Sequence, residues 1–521
     1  MEKITEYICR EGFAEVDTKW GRIRGLRQNG IYAFLGVDYG KAKRFHPAED
    51  PESWEGVKPA LDYGTVCPTV YPASMRGDHV LPHRFYVQDE DCLNLNVWTT
   101  TLDPSAKRAV MVWFHGGGYS AGSANDFTSY EGWNLAKYGE VVSVTVNHRL
   151  NVLGCLDLSA YGEEYQSSGN LIMQDGVKAL QWVHDNIEKF GGDPGNVTIY
   201  GQSGGGGKIT TLMQMPSADG LYHRAIVQSG IIRFADPAQT GAMRITKEDA
   251  LKCAEKLVEG VGSVEKLETM PVDELMKAVR AYCDNPGFIW TPVPGAGDYP
   301  GDIGQTGGFR EETTNIPTMI GNSLTEFPRV HSGKDKASMS EEEKLEAIRE
   351  VYGDDAEAVK ACFEKCYPEL NSYYACGMDM SNFRPMGKLF CEWRSEMGAA
   401  PAYNYLLTYE MPYDGGTMST HGTELPFIFH NADAVGPVQK NTDRTWSFQD
   451  EVFYAWVNFA KTGNPNHDRL PVEWKPYTKE RHSCMLFGDT SSCRDGHDEE
   501  LIALVAEVNK KSGGRIGRLP A

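Results

Sequence analysis

The sequence predicts an α/β fold, a central and mostly parallel sheet flanked by helices, on three observations. Segments of five to seven residues, β-branched and almost wholly apolar, recur in its first half. An amphipathic helical stretch separates two of them. Glycine-rich turns follow two of them directly.

The first two apolar segments are Arg108–Phe114 (RAVMVWF) and residues 140–146 (EVVSVTV), and a third is residues 196–200 (NVTIY). Near-continuous apolar character is how strands covered on both faces read. Between the second and third lies DGVKALQWVHDNIEKF, residues 175–190, where Val177, Leu180, Val183 and Ile187 recur at helical spacing. Strand, helix and strand at this separation predict a βαβ unit and hence parallel pairing. The middle of the chain changes character. Residues 246–260 open with a T-x-x-D cap, and residues 340–353 open with the capping box of Ser340 and Glu343. These stretches predict helical insertions at about residues 232–290 and 330–400, standing over the sheet where lids and pocket walls are built. Strand character returns at residues 401–408 and 484–487, and residues 448–459 form an amphipathic helix that stops at Gly463.

Bulk composition narrows the function classes. The 521 residues carry a formal net charge of −21. Such a surface repels phosphate backbones and anionic lipid, so neither nucleic acid nor membrane is an expected partner. The charged first twenty residues have no apolar run, which predicts a cytoplasmic protein. The 12 cysteines include no C-x-x-C pair. Cys362 and Cys366 have no histidine or second pair to complete a zinc site, so no metal is expected.

The segment NVTIYGQSGGGGKITTL, residues 196–212, carries the chemistry. Four consecutive glycines follow Ser203 where a helix begins, although glycine costs roughly 1 kcal/mol against alanine inside a helix. G-x-S-x-G between a strand and a helix marks a sharp turn that lifts a serine hydroxyl above the sheet edge. Gly201 and Gly205 stand where side chains would strike neighbouring backbone. Gly204 offers an N–H at the positive helix end, and its missing Cβ leaves room for a substrate. Gly206 permits close helix packing. Phosphate-loop patterns do not fit, because Lys208 is displaced by one position from G-x-x-x-x-G-K-[ST]. A second glycine run, His115 to Tyr119 (HGGGY), follows the first strand and supplies oxyanion donors from Gly117 and Gly118, with His115 as loop support.

These segments together resemble the type-B carboxylesterase and cholinesterase family of α/β-hydrolases. The likeness covers most of the chain: EDCLNLNV at residues 90–97, FHGGGY, the run from residue 169 through the serine, and AIVQSG at residues 225–230. It implies an α/β-hydrolase fold in one domain spanning residues 1–521, no cofactor, and hydrolysis of small-molecule carboxylic esters. It also nominates two residues that local chemistry does not. IGNSLTEF, residues 320–327, places Glu326 as the acid, and HGTELPF, residues 421–427, places His421 as the histidine. Asp298 and Asp302 compete as the acid, and His430 and His331 as the histidine. Glu424 is read as structural. Gln202 replaces the family's usual glutamate, Gly204 its usual alanine, and Lys208 a small residue. Losing charge at Gln202 is expected to weaken attraction for choline esters. Cys67 and Cys92 resemble the pair that forms a disulfide in secreted relatives, and free thiols are expected here.

The resulting expectation is a serine hydrolase. Ser203 attacks the ester, His421 moves its proton, Glu326 orients the imidazole, and Gly117, Gly118 and Gly204 bind the oxyanion. Activity falls at low pH as His421 protonates. Tyr119 and Phe327 line the substrate site. An amidase, carbamate hydrolase or lactonase would use the same triad, and a non-catalytic binding protein would share the fold. The oligomeric state and the acyl and alcohol preference stay open.

Overall fold

The structure is a computed structural model that describes residues 3–69, 81–230, 246–283, 290–327, 333–440 and 442–513. The described residues contain a twelve-stranded sheet. In chain order its strands are β1 (Tyr7–Ile8), β2 (Leu26–Gln28), β3 (Ile31–Asp38), β4 (Asn94–Thr99), β5 (Arg108–Phe114), β6 (Val142–Val146), β7 (Gly192–Gln202), β8 (Arg224–Gln228), β9 (Thr318–Ser323), β10 (Ala402–Thr408), β11 (Ser483–Gly488) and β12 (Ser492–Asp495). In space they run β1-β2-β3-β4-β6-β5-β7-β8-β9-β10-β11-β12. Pairing is parallel from β6 through β11 and antiparallel toward both rims.

Register matters more than strand count for function. Phe114 pairs with Gly201, Gln202 with Gln228, Gln228 with Gly321, and Ser323 with Leu407. The carboxyl ends of β5, β7, β8, β9 and β10 therefore finish at one level. The loops that leave them share one rim, where ligands gather in open parallel sheets.

The longer helices are α1 (Leu171–Asn186), α2 (Gly204–Leu212), α3 (Lys247–Val261), α4 (Val272–Cys283), α5 (Glu341–Tyr352), α6 (Ala356–Cys366), α7 (Phe383–Glu396), α8 (Asp443–Thr462) and α9 (Glu499–Lys511). The apolar stripe of Val177, Leu180, Val183 and Ile187 is buried against the sheet as its spacing predicts. On the opposite face α8 covers β5, β7 and β11 through an aromatic layer that includes Trp113, Tyr200, Phe429, Trp456 and Trp474. Ring centroids there lie 4.9 Å apart for Trp113 and Tyr200 and 5.3 Å for Trp113 and Phe429. Capping boxes open α3 at Thr246 and Asp249 and α5 at Ser340 and Glu343. Parts of the two expected insertions, residues 232–245, 284–289 and 330–332, lie outside the described residues. Cys67 and Cys92 are buried neighbours and carry free thiols. No cluster of metal-binding side chains, and no helix long and apolar enough to cross a membrane, occurs among the described residues.

Candidate active site

Ser203 sits between the end of β7 and the start of α2 with φ 59° and ψ −124°. A non-glycine residue in that region is strained, and it persists only where its surroundings over-determine it. Here they do. The Ser203 N–H donates to the Gln228 carbonyl at the end of β8 (2.8 Å), and its carbonyl accepts the Gly207 N–H (3.0 Å) in the first turn of α2.

The glycines around it answer to backbone crowding. A Cβ on Gly205 would lie 2.1 Å from the Phe114 carbonyl oxygen, so the helix start can rest on the end of β5 only without one. A Cβ on Gly204 would lie 2.1 Å from the Gly118 carbonyl oxygen. Its absence thus makes room for the loop after β5, whereas the sequence alone assigns that room to a substrate. Gly207, which the sequence left without a role, faces the Tyr119 hydroxyl, 2.6 Å from where its Cβ would be.

The loop after β5 turns through Gly117 at φ 87° and Gly118 at φ 69°. The carbonyls of Gly116 and Gly117 are occupied. His115 Nδ1–H donates to the Gly116 oxygen (2.9 Å), and the Ser120 and Ala121 N–H groups donate to the Gly117 oxygen (3.2 and 3.1 Å). In a trans peptide the N–H opposes the C=O. The Gly117 and Gly118 N–H groups therefore face away from these partners. Among the described residues no acceptor takes the N–H of Gly117, Gly118 or Gly204. Gly117 and Gly118 are exposed, and Ser203 and Gly204 are half-buried, amid strand ends that are otherwise sealed. His115 stacks on His148 with centroids 4.7 Å apart and planes 7° apart. Burial, then the nearby Lys208 charge, then His148, hold its pKa well below the usual imidazole range, so it stays neutral as an Nδ1–H donor.

Glu326 and His421, 95 residues apart, meet at the same rim. His421 Nδ1 lies 2.5 Å from Glu326 Oε2. Glu326 is 1% exposed and His421 6%. The second carboxylate oxygen, Oε1, accepts the Ser229 hydroxyl (2.7 Å) and the Ser323 N–H (2.8 Å). Gln202 ties the segments together: its carboxamide approaches both Gly116, next to Gly117 and Gly118, and Gly422, next to His421. At 4% exposure that side chain is enclosed rather than turned toward a substrate, unlike the position expected for a group that attracts choline.

Two further carboxyls surround the pair. Burial and then the Glu326 charge push Asp379 up to about 6, against three N–H bonds from Ser381, Asn382 and Phe383 at the start of α7. Burial and then Glu326 push Glu424 up to about 7, and Gln228 donates to it. Both groups thus spare Glu326 a full like-charge neighbour at acidic pH.

The rival acids and the rival histidine lie elsewhere. Asp298 accepts the Ser217 N–H, Asp302 caps residues 303–306, and His430 pairs with Asp450 on α8 (3.1 Å). His331 lies outside the described residues. Phe327 is half-buried with its ring 4.4 Å from that of His421. Tyr119 is buried, with its hydroxyl against Gly207. The sequence reading missed Ser229 and Phe383. Phe383 packs its ring 5.6 Å from His421. The AIVQSG segment was the only local signal for Ser229, and nothing local marks Phe383.

A parallel sheet with a strained serine, unclaimed amides and a carboxylate-bound imidazole at one rim defines an α/β-hydrolase of the ester-cleaving class. Comparison with known proteins agrees. The model of the carboxylesterase family matches residues 13–504, and the chain belongs to that family. It is 31% identical to the para-nitrobenzyl esterase of Bacillus subtilis (strain 168), over 93% of this chain and 97% of that one. The structure of a Clostridium hathewayi esterase that can hydrolyse aliphatic aromatic polyesters superposes with a TM-score of 0.88 at 38% identity, covering 96% of this chain and 99% of that one. The Geobacillus stearothermophilus carboxylesterase follows at 0.73 and 32%, covering 94% and 99%. The protein is a carboxylic ester hydrolase.

Proposed function

We propose that this enzyme cleaves small carboxylic esters through an acyl-enzyme on Ser203. His421 Nδ1–H donates to Glu326, which leaves the Nε2 lone pair to take the Ser203 proton as Oγ attacks the carbonyl carbon. The carbonyl oxygen becomes an oxyanion and is received by the N–H groups of Gly117, Gly118 and Gly204. When the intermediate collapses, the carbon–oxygen bond to the alcohol breaks and the imidazolium returns its proton to that alcohol. Water, deprotonated by His421, then releases the acid and restores Ser203. The half-buried Phe327 forms an apolar wall beside the imidazole, and Tyr119 borders the same loop. In this reading the chain is one catalytic domain, with the helices of residues 232–290 and 330–400 as insertions above the site.

The observation that carries the proposal is the Glu326–His421 hydrogen bond at the rim that also carries a strained serine and three unclaimed amides. The test is a burst experiment with para-nitrophenyl acetate, followed by mass mapping of the acylated residue. Wild type should release one equivalent of nitrophenol in a burst and carry acetyl on Ser203. Ser203→Ala should lose turnover by roughly 10⁴-fold or more. Full turnover by Ser203→Ala would refute it. A panel of aryl, alkyl, polyester and amide substrates then assigns the acyl and leaving-group preference.

A further inference from the structure

Lys208 is fully buried in the second turn of α2, and among the described residues no carboxylate reaches it. Its ammonium donates to the His115 carbonyl at 2.8 Å and lies 5.8 Å from the centre of the Tyr119 ring. A buried charge without a counter-ion is costly. A feature that costly calls for a function.

The location suggests one. His115 precedes Gly116, and the Gly116 carbonyl is held in turn by the His115 imidazole (2.9 Å). The peptide joining Gly116 to Gly117 carries the Gly117 N–H, and the one joining Gly117 to Gly118 carries the Gly118 N–H. Fixing the His115 carbonyl fixes the start of this series. From Lys208 the constraint passes through the His115 backbone and ring to the amides that face the substrate. The helix that bears Lys208 is the one that begins at Ser203. One rigid element therefore sets both the nucleophile and the loop opposite it.

We propose that Lys208 is a positioning residue for the oxyanion hole: from α2 its ammonium holds the His115 carbonyl and so aims the Gly117 and Gly118 N–H groups at the developing oxyanion. This rests on the assignment of those glycines as donors. The groups that face the ammonium are the His115 and His148 imidazoles, Cys155 and Tyr119. Burial keeps both imidazoles well below their usual range, so neither competes for positive charge at neutral pH. Burial also pushes Lys208 down to about 7. Its neutral amine still has N–H bonds for the His115 carbonyl, so the loop keeps its anchor when the charge is lost.

The test is Lys208→Met, which keeps an unbranched side chain of similar length and removes both donor and charge. Four quantities are read: kcat and KM with a para-nitrophenyl ester, the affinity of a trifluoromethyl ketone that adds to Ser203, and the thermal midpoint at pH 6. The expected result is a kcat lower by roughly tenfold or more with KM nearly unchanged. Ketone affinity should fall in proportion, while the thermal midpoint rises. Unchanged kcat and ketone affinity would overturn the proposal. So would a fall in kcat accompanied by a lower midpoint, because Lys208 would then only support the fold. Lys208→Leu, which also lacks a donor, carries the same readouts if the methionine variant does not accumulate as folded protein. Labelling of wild-type Ser203 by a fluorophosphonate reports the serine assignment separately, so failure of one reading is distinguishable from failure of the other.

Discussion

Glu326 and His421 are joined at two points. The imidazole Nδ1–H meets the carboxylate at 2.5 Å, and the His421 backbone N–H donates to the Glu326 backbone carbonyl at 2.9 Å. The side-chain bond selects the tautomer, while the main-chain bond holds the loop after β10 at the rim whatever the tautomer. Glu326→Gln should therefore keep the loop in place and spoil the chemistry. Its kcat is expected to fall by roughly 10²- to 10⁴-fold with a small change in thermal midpoint. Steady-state kinetics and calorimetry on the purified variant check this, and near-normal turnover would remove Glu326 from the triad.

The contact between Gly204 and Gly118 predicts an unusual sensitivity. The extra methyl of Gly204→Ala would meet the Gly118 oxygen at 2.1 Å, so the loop must shift to admit it. The variant should fold, because the clash falls on an exposed loop. It should lose roughly 10²-fold in kcat as the loop's amides are pushed out of line. Kinetics with the alanine variant at this single position provide the check.

Lys208 predicts how stability depends on pH. Its folded-state pKa is about 7, below the ordinary lysine value of 10.5. Below pH 7 both folded and unfolded chains bind the proton, and the folded chain bears the full penalty of the buried charge. Between pH 7 and 10.5 the unfolded chain alone holds it, so this penalty fades as pH rises. Lys208→Met should be more stable than wild type at pH 6. Near pH 10 it should be less stable, having lost a hydrogen bond worth about 1 kcal/mol. Denaturant titrations at the two pH values should show the curves cross.

Arg384 and Asp498 form a buried pair that ties α7 to the start of α9, with Nε–Oδ2 2.6 Å and Nη2–Oδ1 3.1 Å. Arg384 also donates to Asn404 on β10 (2.6 Å), and the Tyr367 hydroxyl to Asp498 (3.0 Å). Burial works to raise the Asp498 pKa, but the Arg384 guanidinium outweighs it and holds the carboxyl well below the usual range. A depressed folded-state pKa contributes stability above the unfolded value that is lost only as pH falls through the folded one. Asp498→Asn should destabilise by about 3–5 kcal/mol at neutral pH by leaving the guanidinium buried and unpaired. Calorimetry of the variant checks it. A loss under about 1 kcal/mol would mean that the network relaxes to water.

What the sequence revealed, and what it did not, follows from the range of the physics involved. The strand at Arg108–Phe114, the helix through Val177 and Val183 and the boxes at Thr246 and Ser340 depend on neighbours within a few residues. Each was legible from spacing alone. Ser203 and its glycines were legible for the same reason, since the turn is local. Glu326 and His421 came only through resemblance, because their meeting depends on the sheet's register, which no local pattern encodes. Ser229 and Phe383 act on residues 97 and 38 positions away, and were missed. At Gly204 local pattern points to the need for a missing Cβ but not to the neighbour: the crowding atom belongs to Gly118, which only the folded backbone brings close. The outer strands β1 and β2 have two and three residues, too few for any alternation to emerge.

That brevity has a consequence for assembly. The sheet ends at one rim on the two residues Tyr7–Ile8 and at the other on Ser492–Asp495, where Arg494 and Asp495 place charge on the last strand. Neither border offers enough open ladder to template a neighbour. Copies of this enzyme thus gain little from joining edge to edge through this sheet. Its margins thereby guard the molecule against the fibrous aggregation that a broad twisted sheet would otherwise invite.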